Sequence, residues 1–150
     1  MDALKIYVAS SWRNERQPGV VAALRGNGYE VYDFKNPPKR SGFAWSQIEP
    51  EWKTWTTEEY IAHLDHPDAE AGFAEDIKHL LRAHVTVLVM PCGRSAHLEL
   101  GWAAGMEQFT AILLEEKSEP ELMYKMVDLI TPQLSEVINW LQELEQDLEL

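Results

Sequence analysis

One carboxylate stands where packing rules would not put it. Glu99 lies in the run Ala96-His-Leu-Glu-Leu-Gly-Trp-Ala-Ala-Gly-Met106, and its neighbours at helical spacings are Ala96, Trp102, Ala103 and Met106. Those residues form an apolar stripe. A carboxylate set in such a stripe costs free energy unless something uses it. The plain alternative is a half-solvated Glu on a helix edge that serves the helix dipole. That dipole would hold it ionised by roughly 0.3–1 kcal/mol if it sits in the first turn. A carboxylate in a cleft can stabilise positive charge on a substrate carbon or attack that carbon.

The elements around Glu99 are readable. Val85 to Met90 is a continuous apolar run rich in β-branched residues, which suits a central parallel strand covered on both faces. Pro91 ends it, and Gly93-Arg94-Ser95 turns the chain, with Ser95 as the expected helix N-cap. Free backbone N–H groups at such a helix start favour an anion. An earlier strand, Leu4 to Ala9, carries Tyr7 near its end and runs into Ser10-Ser11-Trp-Arg13-Asn14. Hydroxyls and a guanidinium beside free N–H groups suit a phosphate or a ribose; loop capping with a surface Arg is the plainer reading of that loop alone.

The rest of the chain alternates strands and helices. A helix is expected over 18–27, a strand over 29–34, helices from Thr56 or Thr57 to Leu64 and from Pro67 to about Ala83, and a strand over 109–114. The second of those helices should turn Phe73, Ile77, Leu80 and Leu81 inward, with Asp76 near the same face. Residues 123–130 should hold a short helix and a short strand. Residues 135–148 form an amphipathic helix with Val137, Ile138, Leu141, Leu144 and Leu148 on one side. This alternation implies an α/β, flavodoxin-like three-layer sandwich with a four- or five-stranded parallel sheet in the order 2-1-3-4-5. Strands one and three are then neighbours at the switch point, and the Ser10–Asn14 and Cys92–Ser95 loops face each other across one crevice. Residues 1–150 read as a single domain with a Trp-rich insertion at about 35–56, where Trp45, Trp52 and Trp55 form either a small core of their own or a platform for a flat base.

Composition limits the function classes. The chain has 150 residues and a formal net charge of −12, with a pI near 4.7. That balance argues against a nucleic-acid surface or an anionic membrane as partner, yet a local nest of N–H groups and one or two Arg can still hold a small anion. Cys92 is the single cysteine, so no intrachain disulfide forms and a reducing, cytoplasmic setting is expected. The five His residues show no metal-ligand spacing, and neither a metal nor a cofactor is expected.

Three pieces together resemble the nucleoside 2-deoxyribosyltransferase-like superfamily, which includes 2'-deoxynucleoside 5'-monophosphate N-glycosidases. They are Lys5-Ile-Tyr-Val-Ala-Ser-Ser-Trp-Arg13, Asp76 followed by an apolar helix and strand, and Ala96-His-Leu-Glu-Leu-Gly-Trp-Ala103, the last being similar to the Glu-Leu-Gly-x-Ala signature. The resemblance spans about residues 4–115. It implies that Glu99 is the nucleophile, Asp76 a carboxylate that helps with the base or sugar, and Tyr7 an active-site tyrosine. It further implies that Ser11 and Arg13 meet a phosphate. Ser10, Gly93, Arg94 and Ser95 complete the expected substrate-binding set. The loop Pro91-Cys-Gly-Arg-Ser95 lacks the acid that the transferases carry there, and Arg94 favours an anionic substrate. A nucleotide or nucleoside substrate and a homodimer or larger homo-oligomer follow from the same resemblance. Two other readings remain open: an NAD glycohydrolase of the Toll/interleukin-receptor-like kind, which also uses a glutamate, and a nucleotide-binding module without catalysis.

Overall fold

The computed structural model describes residues 2–150. Five parallel strands form one sheet: β1 (Lys5–Ala9), β2 (Glu30–Asp33), β3 (Val85–Val89), β4 (Phe109–Leu113) and β5 (Leu129–Thr131). Their order is β2-β1-β3-β4-β5, as the alternation predicts. The helices are α1 (Gln17–Gly26), α2 (Thr57–His63), α3 (Pro67–Arg82), α4 (Arg94–Gly105) and α5 (Leu134–Asp147).

The two faces of the sheet differ in chemistry, and the strand period is the reason. Successive side chains point to opposite faces. Ile6, Val8, Val85, Val87, Val89, Ala111 and Leu113 pack with α1 and α5 in a mainly aliphatic layer that also takes in Tyr29. Tyr7, Ala9, Tyr32, Leu88 and Ile112 face the other way, onto Leu80 of α3 and Ala96 and Leu100 of α4. The register places Tyr7 beside Tyr32 on β2 and beside Thr86 on β3. Phenols therefore line the side that α3 and α4 cover.

Three sequence expectations change in the folded chain. The inward stripe of α3 is Ala69, Gly72 and Leu80, while Phe73 and Leu81 are 64% and 59% exposed. The stripe runs through Asp76, and a carboxylate in the middle of it makes the neighbouring apolar residues look like the buried face. Gly93, not Ser95, is the N-cap of α4, with no side-chain cap bond. Starting the helix at Arg94 moves Glu99 into the second turn, beyond the strongest reach of the dipole. Leu148 lies past the end of α5 and is partly exposed, whereas Val137, Leu141 and Leu144 are buried.

Residues 35–56 hold two short 3-10 turns, Trp45–Gln47 and Trp52–Thr54, before Thr56 caps α2 in a box with Glu59. Phe43 packs on Gly72 of α3, where an added Cβ would come within 2.9 Å of its side chain. Gly42 lies against the Trp12 ring, where a Cβ would come within 2.6 Å. Trp45 meets Phe43 and Trp55 edge-on, and Trp55 stacks on His63. The aromatic groups thus pack on one another, apart from Trp52, which carries Lys53 over its ring.

The two loops at the carboxyl ends of β1 and β3 are strapped together by Asn14. Its side-chain amide donates to the Val89 and Pro91 carbonyls, each at 3.1 Å, and its Oδ1 accepts from the backbone of Arg16 and Gln17 at the start of α1. Ser10 donates to the same Val89 carbonyl at 2.8 Å. Asn14 is almost wholly buried, so each lost bond leaves a group that water does not reach. Asn14→Ala should lower unfolding free energy in urea by about 2–4 kcal/mol. Asn14→Asp should be no better, since a carboxylate keeps the two acceptor bonds but sets charge against two carbonyls. Loss of under half a kcal/mol in both variants would show that the strap contributes little.

Candidate functional site

Glu99, Tyr7 and Asp76 come from three separate elements and meet on the phenol-lined face of the sheet. Tyr7 is fully buried in β1. Its hydroxyl has no well-formed hydrogen bond, yet Glu99 is close enough to act on it. Burial above all, then the Glu99 and Asp76 carboxylates, push this phenol far above its usual range. It remains a proton donor at any working pH, aimed into a corner that holds carboxylates.

Glu99 is half-buried, and burial overrides the helix dipole. Removal from water, aided by the Asp76 charge and opposed by Tyr7, pushes its carboxyl up to about 7. At neutral pH it is poised between acid and base, which differs from the fully ionised side chain expected of a first-turn position. Asp76 is raised too, first by burial and then by Glu75, against the effect of its bond with Tyr32. Two carboxylates with raised affinities for a proton, side by side, titrate as a pair. A carboxylate pair perturbed by burial in this way is a candidate acid–base site.

Around this pair lie residues that the sequence did not single out. Tyr32 donates its hydroxyl to Asp76 Oδ1 at 2.7 Å. Its ring stacks on His79 with centroids 4.0 Å apart, and His79 pairs with Glu75 at 3.1 Å. On the other flank of α4, His97 Nδ1 contacts the Gly93 carbonyl at 2.7 Å and its Nε2 contacts the Tyr124 hydroxyl at 2.7 Å. Cys92 sits next to His97, but burial and the Glu99 charge push its thiol up to about 12. It is therefore not a thiolate nucleophile. Among the described residues, no three His, Cys, Asp or Glu side chains converge as metal ligands.

The remaining expected binding residues divide in two. Ser10 has its hydroxyl engaged by Val89 in the strap. Ser11, which accepts a bond from the Arg13 backbone, Arg13 itself and Gly93 lie on the loops after neighbouring strands β1 and β3, and Arg94 and Ser95 open the first turn of α4. Arg13, Arg94 and Ser95 are exposed and engage no carboxylate. A cleft of about 140 Å³ opens at the β2 edge against Tyr32, His79, Arg25 and Arg82, and one of about 60 Å³ against Met90, Pro91, Leu114 and Lys117. Glu99 lines neither. No helix of the described residues is long and apolar enough to cross a membrane.

No family profile matches the chain, and no curated protein matches it in sequence. Solved structures do match in shape. A 2-deoxyribosyltransferase from the psychrotolerant bacterium Bacillus psychrosaccharolyticus superposes with a TM-score of 0.60 at 19% identity, covering 89% of each chain. The CMP N-glycosidase BcmB of Clostridium botulinum superposes with a TM-score of 0.50 at 16% identity, covering 92% of this chain and 98% of the other. The likeness is one of fold: the chain shares the α/β architecture of these two proteins.

The raised Glu99 carboxyl has a consequence for stability. The folded chain binds its proton more tightly than the unfolded chain, whose glutamate titrates near 4.5. The stability it lends is complete below about pH 4.5 and is lost as pH rises to about 7. Glu99→Gln removes the buried charge. At pH 8 it should stabilise the protein by roughly 1–3 kcal/mol, allowing for partial solvent screening, and the gain should vanish at pH 4. Thermal melts of both proteins at the two pH values check this; equal melting points at pH 8 would mean Glu99 is solvated.

Proposed function

We propose that this protein cleaves or transfers the N-glycosidic bond of a nucleotide or nucleoside, with Glu99 as nucleophile at the anomeric carbon. The observation that carries the reading is the placement of Glu99: a half-buried carboxylate, poised near neutrality, beside Tyr7 and Asp76 at the switch point of a parallel sheet. The printed activities of the two structural neighbours, a deoxyribosyltransferase and a CMP N-glycosidase, concern the same bond class.

The chemistry balances without a metal or cofactor. A Glu99 oxygen forms a bond to the anomeric carbon as the carbon–nitrogen bond breaks, and the bonding pair leaves with the base. The departing base takes its proton from solvent, while the Asp76 carboxylate accepts a hydrogen bond from the base or sugar. Water or a second base then attacks the same carbon and frees Glu99, giving hydrolysis or transfer. Tyr7, a phenol that never ionises here, donates toward Glu99 and holds the carboxylate's lone pair in line. Arg13 and Arg94, with Ser11, Ser95 and the N–H groups after Gly93, offer a cationic edge to a 5'-phosphate. A nucleotide is thus favoured over a neutral nucleoside. The proposed setting is the cytoplasm, where Cys92 stays a free thiol.

The working unit is proposed to be a homodimer or larger. Phe73 and Leu81 on α3, Leu98 on α4 and Met106 just after it are exposed apolar residues. Arg94 at the start of α4 and Glu107 just past its end let an antiparallel copy match charge for charge. Such a copy would wall the space beside Glu99.

Two measurements decide these points. Free base released from a panel of deoxynucleoside monophosphates should fall at least about a thousandfold in Glu99→Ala, and wild-type kcat/KM should rise with pH through a midpoint near 7. Undiminished release by Glu99→Ala would exclude the nucleophile. Light scattering after gel filtration should give at least twice the 17.2 kDa chain mass, reduced by Leu98→Glu with Met106→Glu; a monomeric wild type would remove the oligomer.

A further inference from the structure

We infer that Tyr32 is the positioning residue for Asp76, fixing one of its oxygens so that the other is aimed at the ligand. This rests on the reading of Asp76 as part of the reacting site. The phenol has a single proton to give, and it is committed to Asp76 Oδ1 at 2.7 Å across the gap between β2 and α3. Oδ2 is the oxygen left for a bound molecule.

The donor is itself held still. The Tyr32 ring packs against Tyr7, with centroids 5.3 Å apart and planes 25° from parallel, and against His79, at 4.0 Å and 12°. Tyr7 is its register partner on β1. His79 pairs with Glu75, one turn earlier on α3. A ring packed against two others and tied to a strand backbone has little room to swing. The hydroxyl direction, and through it the Asp76 carboxylate, is therefore set by a stack of three rings.

The bond biases the proton shared by the two carboxylates. Asp76 is faced by Glu75 and His79 from its own helix, Tyr32 from β2, Tyr7 from β1, Glu99 from α4 and Arg40 from the segment before α2. Burial is the largest influence and raises Asp76; the Tyr32 bond is the strongest that opposes it. Stabilising the Asp76 anion leaves the last proton of the pair on Glu99. The empty site thus keeps Asp76 ready to accept from a ligand while Glu99 is still closing on its active form.

Tyr32→Phe removes one hydroxyl and keeps the stack. Its Asp76 carboxyl titration, followed by carbon-13 NMR, should move to higher pH, while the Glu99 midpoint stays near 7. Deoxynucleoside monophosphate turnover should drop about tenfold with KM within about twofold, as for a lost orienting contact. The melting temperature should change by only a few degrees. An Asp76 titration that does not move overturns the inference. So does a variant whose KM and stability fall together while turnover per folded molecule is unchanged, the mark of a purely structural bond. If wild-type protein releases no base at all, the proposed reaction fails, and the titration alone still tells whether Tyr32 holds Asp76.

Discussion

Charge is expensive to bury, and the corner between α3 and α4 buries two carboxylates together. Glu99 and Asp76 each lose solvent, the Asp76 charge makes Glu99 harder to ionise, and Glu75 does the same to Asp76. A protein can tolerate that arrangement only if polar partners stand ready, and here they are phenols. Tyr7 and Tyr32 present aromatic bodies to the core beside Leu80 and Leu100 and turn their hydroxyls to the acids. No aliphatic residue could do both. The sheet therefore has one face built only for packing, against α1 and α5, and one that packs and carries proton donors.

The same economy appears where the loops meet. Asn14 uses both donors and its acceptor to join the end of β1, the end of β3 and the first turn of α1. Asp33, close by at the end of β2, is satisfied by Gln17, Asn36 and the Lys35 backbone, so its carboxyl lies below its ordinary range despite burial. Asp33 is buried at the end of β2, and Asp76 is half-buried in the middle of α3. The first is surrounded by neutral donors and is settled as an anion. The second shares its corner with another acid and is not. That contrast is the physical ground on which Asp76 and Glu99, and not Asp33, are proposed as the reactive pair.

The segment before α2 touches this frame at few points, notably Phe43 on Gly72, Gly42 on Trp12 and Arg40 on the Ala71 carbonyl. Its tryptophans mostly satisfy one another edge to face, which favours a small core over a stacking platform. Through Gly42 it bears on Trp12, and Trp12 sits between Ser11 and Arg13 in the loop offered to a phosphate. The insertion is thus positioned to influence that loop rather than the carboxylates.

Strand order, helix placement and the unusual position of Glu99 in an apolar stripe were legible from residues alone, because each rests on local pattern. Apolar runs bounded by Gly and Pro mark parallel strands, alternation implies right-handed crossovers, and a charge in an apolar stripe is visible without coordinates. The inward face of α3 is less legible, because the apolar Phe73 and Leu81 face outward while the stripe of Ala69, Gly72 and Leu80 runs through a polar residue, Asp76. What only tertiary structure decided is which groups share space. Tyr32 and Asp76 are far apart in sequence and on different elements, and nothing in either neighbourhood marks the bond between them. Register across β1 and β2 sets two phenols side by side, and the docking of α3 supplies the acid. The ionisation of Glu99 was likewise a property of the assembled corner: a helix dipole is read along one segment, but desolvation comes from every segment that packs around it.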